Sequence, residues 1–189
     1  DPHNDSLQEE TKMNLQGKRV LVFGTGKSGI GAADLLGETG AHVILFDGNE
    51  KTDKDAVLAK VSHAEDASVY AGELPKEVLE NLDLVILSPG VPTDIPIVKK
   101  FYEMGLPVWG EVELAYRTGK GRVLAITGTN GKTTTTALLG KIMSDAEDSV
   151  FVVGNIGTPY TSKALEMKEN STKVAEISSF QLETIEEFA

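Results

Sequence analysis

Two kinds of apolar pattern alternate along this chain of 189 residues. Residues 19–23 (Arg-Val-Leu-Val-Phe) form a short β-rich run that ends in glycines, residues 30–36 read as a helix, and residues 42–47 (His-Val-Ile-Leu-Phe-Asp) are a second apolar run. That succession predicts one βαβ unit. A further strand is predicted over 82–87, stopped by Ser88-Pro89-Gly90, then a helix over 97–104 and a brief strand over 106–109. Near-continuous apolar strands separated by helices imply a parallel sheet buried on both faces.

After a helical stretch at 111–116, the turn Thr118-Gly119-Lys120-Gly121 precedes a fresh strand at 122–126, where a second domain is expected to begin. It continues with a helix over 132–143, a strand over 150–153, a helix over 161–168, a strand over 173–177 and a helical-looking segment over 181–189. The expected fold is therefore α/β. A Rossmann-like parallel-sheet domain spans 14–110, and the beginning of a P-loop α/β ATPase domain spans 111–189. Residues 1–13 are polar and without apolar period; they are expected to be disordered or foreign to the natural chain, with Met13 as a candidate start.

Composition narrows the partners. Eighteen basic against 29 acidic residues give a net charge of −11, which argues against nucleic-acid binding because phosphate backbones need a basic face. Any anionic ligand must then be held by local devices: helix N-termini, exposed N–H groups and one or two placed lysines. No apolar run approaches the roughly 18 residues of a membrane helix, so no membrane partner is expected. The chain has no cysteine, hence neither a disulfide framework nor a thiolate metal site, which fits a reducing cytoplasm. His3, His42 and His63 show no ligand spacing, and Ser28 and Ser178 have no His–Asp arrangement near them in sequence.

Two glycine loops carry the chemistry. Gly24-Thr25-Gly26-Lys27-Ser28-Gly29 lies between a predicted strand and helix, where small residues permit a tight turn and close approach of backbone to phosphate. Asp47 closes the next strand, where an acid can accept hydrogen bonds from a ribose. A structural turn with a surface Asp is the alternative, and NAD is not specified. Gly128-Thr129-Asn130-Gly131-Lys132-Thr133-Thr134 is the sharper signal, since backbone N–H groups can surround a polyphosphate, Lys132 can reach its outer phosphates and Thr133 can ligate Mg²⁺. It departs from the general P-loop at Ile126, where that pattern wants glycine. Glu176, on a downstream strand, can hold Mg²⁺ opposite Thr133. Gly154-Asn155-Ile156-Gly157 and Ser88-Pro89-Gly90 follow other strands and are ordinary turns taken singly.

Together these pieces resemble the Mur ligases, whose ATP loop is typically Gly-Thr-x-Gly-Lys-Thr, which accounts for Ile126. The runs Gly154-Asn155-Ile156-Gly157 and Glu176-Ile177-Ser178-Ser179-Phe180-Gln181-Leu182 are most similar to the member that adds D-glutamate to UDP-N-acetylmuramoyl-L-alanine. The resemblance implies a peptidoglycan-precursor ligase of the cytoplasm that uses ATP and Mg²⁺ and passes through an acyl phosphate. It implies a uridine-diphosphate site made by Gly24, Gly26, Lys27, Ser28, Gly29, Asp47, Ser88, Pro89 and Gly90, with Asn155 reaching the substrate from the second domain. Asn49 stands where the family often has an arginine. It also implies ATP binding by Gly128, Thr129, Asn130, Gly131, Lys132, Thr133 and Thr134, a catalytic role for Lys132, and Mg²⁺ held by Thr133 and Glu176. The family's remaining metal, adenine and amino-acid sites are expected beyond Ala189, leaving this chain catalytically incomplete by itself, and a hinge is expected at 119–121. Sibling Mur ligases and folylpolyglutamate synthetases share the ATP loop. An NAD-dependent oxidoreductase explains the first loop alone, and a non-catalytic nucleotide-binding module suits the chain taken by itself.

Overall fold

The computed structural model describes residues 14–155 and 158–188. The expectation for residues 1–13 lies outside these, as do Ile156 and Gly157. The first half runs β1 (Arg19–Phe23), α1 (Lys27–Glu38), β2 (His42–Asp47), α2 (Lys54–Leu58), β3 (Ala67–Ala71), α3 (Lys76–Leu79), β4 (Leu84–Leu87), α4 (Pro96–Glu103) and β5 (Val108–Gly110). All five strands are parallel, in the order β3-β2-β1-β4-β5. The order reverses between β1 and β4, which sets the loops after those two strands side by side at the carboxyl edge, the position where open α/β sheets receive ligands.

The second half runs α5 (Glu111–Thr118), β6 (Arg122–Ile126), α6 (Lys132–Ala146), β7 (Val150–Gly154), α7 (Tyr160–Lys163), β8 (Thr172–Glu176) and α8 (Ser179–Leu182). Its three strands are parallel in the order β6-β8-β7, so β8 is central although it comes last in the chain.

Alternation along β1 sends its side chains to opposite faces. Leu21 and Phe23 pack with Val78, Leu79, Val98 and Phe101 beneath α3 and α4. Val20 and Val22 pack with Ala32, Ala33 and Leu36 of α1 and with Val112, Leu114 and Ala115 of α5. This second cluster continues without a break into the other sheet through Tyr160, Ala164, Met167, Ala175 and Ile177. Each large aliphatic residue buried there contributes about 1.5–3 kcal/mol, so the two halves are joined by a shared core.

The structure departs from the sequence pattern most clearly in three places. Strand β3 is not predicted by it: Ala-Ser-Val-Tyr-Ala has a weak β signal, all five residues are half-buried, and the strand exists because β2 offers it a parallel edge. The segment expected to be helical over 181–189 is not a continuous helix over its described residues, 181–188. One turn, α8, is started by a capping box between Ser178 and Gln181, and the chain then bends back so that three successive N–H groups, of Glu186, Glu187 and Phe188, donate to the Glu113 carboxylate. The helix expected at 161–168 is a single turn followed by a 3₁₀ turn at Ala164–Glu166. At 119–121, where a hinge is expected, the glycines leave no room for a side chain: a Cβ on Gly119 would lie 2.9 Å from the Ala115 carbonyl oxygen, and one on Gly121 would overlap the Ser171 carbonyl.

Candidate functional site

The loop at 24–29 is built by backbone contact. Gly24 has φ of 121° and donates its N–H to the Phe46 carbonyl at 2.8 Å; a Cβ there would press on the Ser88 side chain. Gly29 lies so close beneath that a Cβ would overlap the Gly24 carbonyl oxygen. Only glycine allows the loops after β1 and β4 to touch in this way. Asp47 reaches the loop from the end of β2, accepting from Thr25 Oγ1 at 2.5 Å and from the Asn49 N–H at 2.9 Å. Lys27 stands exposed on the loop.

Ser28 donates its hydroxyl to one oxygen of Glu111, and Ser88 donates to the other at 3.3 Å. Glu111 opens α5 directly after β5, so the loops following β1, β4 and β5 converge on one carboxylate. Burial pushes its pKa up, against the two serine hydroxyls that favour the ionised form. A cavity of about 410 Å³ lies alongside, lined by Ser88, Pro89, Gly90, Glu111, Phe180 and Glu183 among others. Phe180, 70% exposed, stands on its wall. Glu111 is absent from the residues that sequence pattern singles out, because a lone glutamate at the start of a helix is unremarkable until the fold brings Ser28 and Ser88 to it.

The second loop is open. Gly128 has φ of 143°, and Gly131, the residue preceding α6, has φ of 77° with no atom beyond its chain neighbours within 4 Å of where a Cβ would stand. Among the described residues the N–H groups of 128–131 donate to no backbone acceptor, which leaves a ring of donors at the N-terminus of a fifteen-residue helix. Half-buried Lys132 folds over the loop and donates from Nζ to the Gly128 carbonyl at 2.6 Å, while Thr133 and Thr134 are exposed on the first turn.

Glu176 ends β8 in register with Ile126 on one side and Gly154 on the other, level with the start of the loop. It is 4% exposed, and its Oε2 has no hydrogen-bond partner among the described residues. A buried carboxylate oxygen without a donor is costly unless a cation completes it. The residues present therefore fit Mg²⁺, which takes oxygen ligands and draws much of its shell from phosphates and water. Among the described residues no group of three or more His, Cys, Asp or Glu is gathered for a metal. Asn155, exposed, donates its N–H to the Glu176 carbonyl at 3.2 Å and so sits at this second edge.

Glu113 belongs to neither loop. It is fully buried, takes the three N–H groups described above and also Arg117 Nε at 2.7 Å. Burial alone would raise its pKa; the N–H of Glu186, the Arg117 guanidinium and the N–H groups of Glu187 and Phe188 outweigh it and hold the carboxyl below the usual range. Arg117 in turn stacks over Trp109 with its guanidinium carbon 4.2 Å from the ring centre.

Residues 18–110 match the Mur ligase MurD-like N-terminal domain, and residues 126–188 match the Mur ligase middle domain. The chain belongs to the Mur ligase family. It is 54% identical over 176 residues to the UDP-N-acetylmuramoylalanine–D-glutamate ligase of Lachnospira eligens, and 52% identical over 176 residues to that of Lachnoclostridium phytofermentans. In both cases the alignment covers 93% of this chain and 39% of the relative, so the chain spans well under half the length of these ligases. Among solved structures, the UDP-N-acetylmuramate:L-alanyl-gamma-D-glutamyl-meso-diaminopimelate ligase of Neisseria meningitides aligns with a TM-score of 0.48 at 20% identity, over 86% of this chain and 52% of that one.

Proposed function

We propose that this chain is the substrate-binding and ATP-loop portion of an ATP-dependent ligase that joins D-glutamate to UDP-N-acetylmuramoyl-L-alanine in the cytoplasm. The observation that carries this reading is the pair of glycine loops, each at the carboxyl edge of its own parallel sheet, on a chain similar along most of its length to ligases of that name. An NAD-dependent oxidoreductase has use for the first loop only.

In this reading the first sheet holds the UDP group. Gly24, Gly26 and Gly29 let backbone approach the diphosphate, Lys27 and Ser28 face it, Asp47 sets the loop through Thr25, and Ser88, Pro89 and Gly90 form the opposite wall. At the second sheet the N–H groups of Gly128, Thr129, Asn130 and Gly131 receive ATP phosphates, with Thr134 on the same turn. Lys132 exchanges the Gly128 carbonyl for the phosphoryl oxygens and stabilises charge as the substrate carboxylate attacks the terminal phosphorus, releasing ADP and giving an acyl phosphate, from whose acyl carbon the amine of D-glutamate then displaces phosphate. Mg²⁺, when bound by Thr133 and Glu176, neutralises phosphate charge. Asn155 extends toward the substrate from beside Glu176.

Calorimetry tests the first sheet: binding of UDP-N-acetylmuramoyl-L-alanine is expected, and micromolar NADH binding without it would overturn the reading. In the ligase of full length, Lys132→Ala is expected to remove most D-glutamate-dependent phosphate release while the fold stays intact, an effect of several kcal/mol on the transition state. Normal turnover by a folded variant would contradict the role given to Lys132. Glu176→Gln is expected to raise the Mg²⁺ requirement, and an unchanged requirement would remove it from the metal site.

A further inference from the structure

Glu111 stands where three loops meet, and the UDP-sugar site as described gives it no part. Its two oxygens accept from Ser28 and Ser88, so both hydroxyl protons are turned inward and the serines offer only lone pairs outward. A diphosphate diester accepts hydrogen bonds and donates none. As it stands the arrangement is therefore wrong for the ligand twice over: the serines cannot donate to it, and an ionised carboxylate lies directly behind them.

One proton removes the charge and frees one of the two serines. A protonated Glu111 donates from Oε2 to Ser28 Oγ, which frees the Ser28 O–H to donate to a phosphate oxygen, and the like charge is gone. We propose that Glu111 is a positioning residue that takes up one proton as the diphosphate binds and thereby turns Ser28 from an acceptor into a donor. This rests on the reading of the first sheet as the UDP-sugar site. The proton comes from solvent and returns on release, and no covalent bond other than that O–H is made or broken.

The surroundings favour Glu111 for this role. Lys27 is exposed on the glycine loop, Asp47 is engaged with Thr25 and Asn49, and Arg117 on the same helix is held by Glu113. Asp94 and Glu183 line the cavity but stand open to solvent, where water and salt screen them. Burial already raises the proton affinity of Glu111, and an arriving anion raises it further.

The test is calorimetry of UDP-N-acetylmuramoyl-L-alanine between about pH 5.5 and 8.5, in buffer pairs of different ionisation enthalpy that count protons exchanged. The diphosphate does not titrate in this range. Wild type is expected to take up protons on binding, with Kd weakening by up to about tenfold per pH unit where uptake is seen. Glu111→Gln, whose amide donates to Ser28 permanently, is expected to bind about tenfold more tightly than wild type at the top of the range, with no proton uptake. Wild-type binding without proton exchange overturns the inference whether or not the variant folds, and so does a folded Gln variant that keeps the wild-type pH slope. Absence of UDP-sugar binding at every pH overturns the proposed site itself, and this inference with it.

Discussion

The two sheets share an architecture and differ in what they bury. The central strand of the first, β1, presents Val20, Leu21, Val22 and Phe23, all buried and all apolar. The central strand of the second, β8, buries Thr172, Lys173 and Glu176 along with Val174 and Ala175. Lys173 is fully buried with no hydrogen-bond partner at Nζ among the described residues, lying 6.0 Å and 5.9 Å from the ring centres of Tyr116 and Tyr160. Burial lowers its pKa from 10.5 to about 8, with Glu169 pulling weakly the other way. Polar groups buried without partners weaken a fold, and they persist where a site needs them.

The glycine loops differ in the same sense. The glycines at 24 and 29 are required by neighbouring atoms, whereas Gly131 is required by its own φ, and a Cβ on it would meet no atom of the described residues within 4 Å beyond its chain neighbours. The first loop is held by the tertiary structure, and the second by local backbone geometry around an open space.

The largest effect expected from this contrast is at Gly29. Alanine there would overlap the Gly24 carbonyl, with a loss of more than about 3 kcal/mol in urea denaturation or failure to fold. A melt close to that of wild type would show that the first loop is looser than described. Lys173→Met comes next, with a stabilisation on the order of 2 kcal/mol at about pH 7. The sign follows from linkage: the unfolded chain keeps the lysine proton up to about pH 10.5, the folded chain only to about 8. Wild-type stability therefore rises across that interval, and the Met variant should lose that rise. Equal slopes would mean that Lys173 finds a partner in solution.

Gly131→Ala is expected to cost about 1 kcal/mol, the penalty of a side chain at positive φ in open space. A cost as large as that of Gly29→Ala would place the second loop in the same packed class as the first. The smallest change is Gly26→Ala. That glycine has φ of −74° and open space around it, so stability should move by less than about 0.5 kcal/mol. Binding of the UDP-sugar should nonetheless weaken if the proposed site is right, because the added methyl would project into the open space assigned to the ligand. Unchanged affinity in calorimetry would separate Gly26 from the site.

Most strands and helices are legible in the chain, because apolar runs such as Val-Ile-Leu-Phe and Leu-Val-Ile-Leu leave few alternatives to burial, and a glycine loop after a strand marks a sheet edge unaided. Local pattern is enough to dictate two parallel sheets and the two loops that crown them. Other features have their cause far along the chain. Strand β3 forms on an edge supplied by β2, the segment after Leu182 bends to meet a carboxylate 73 to 75 residues earlier, and Glu111 acquires its meaning from serines 83 and 23 residues away. Periodicity encodes the burial of a side chain because it is a property of neighbours; it does not encode the partner of a buried polar group, because that partner is chosen by the packing of elements distant in sequence.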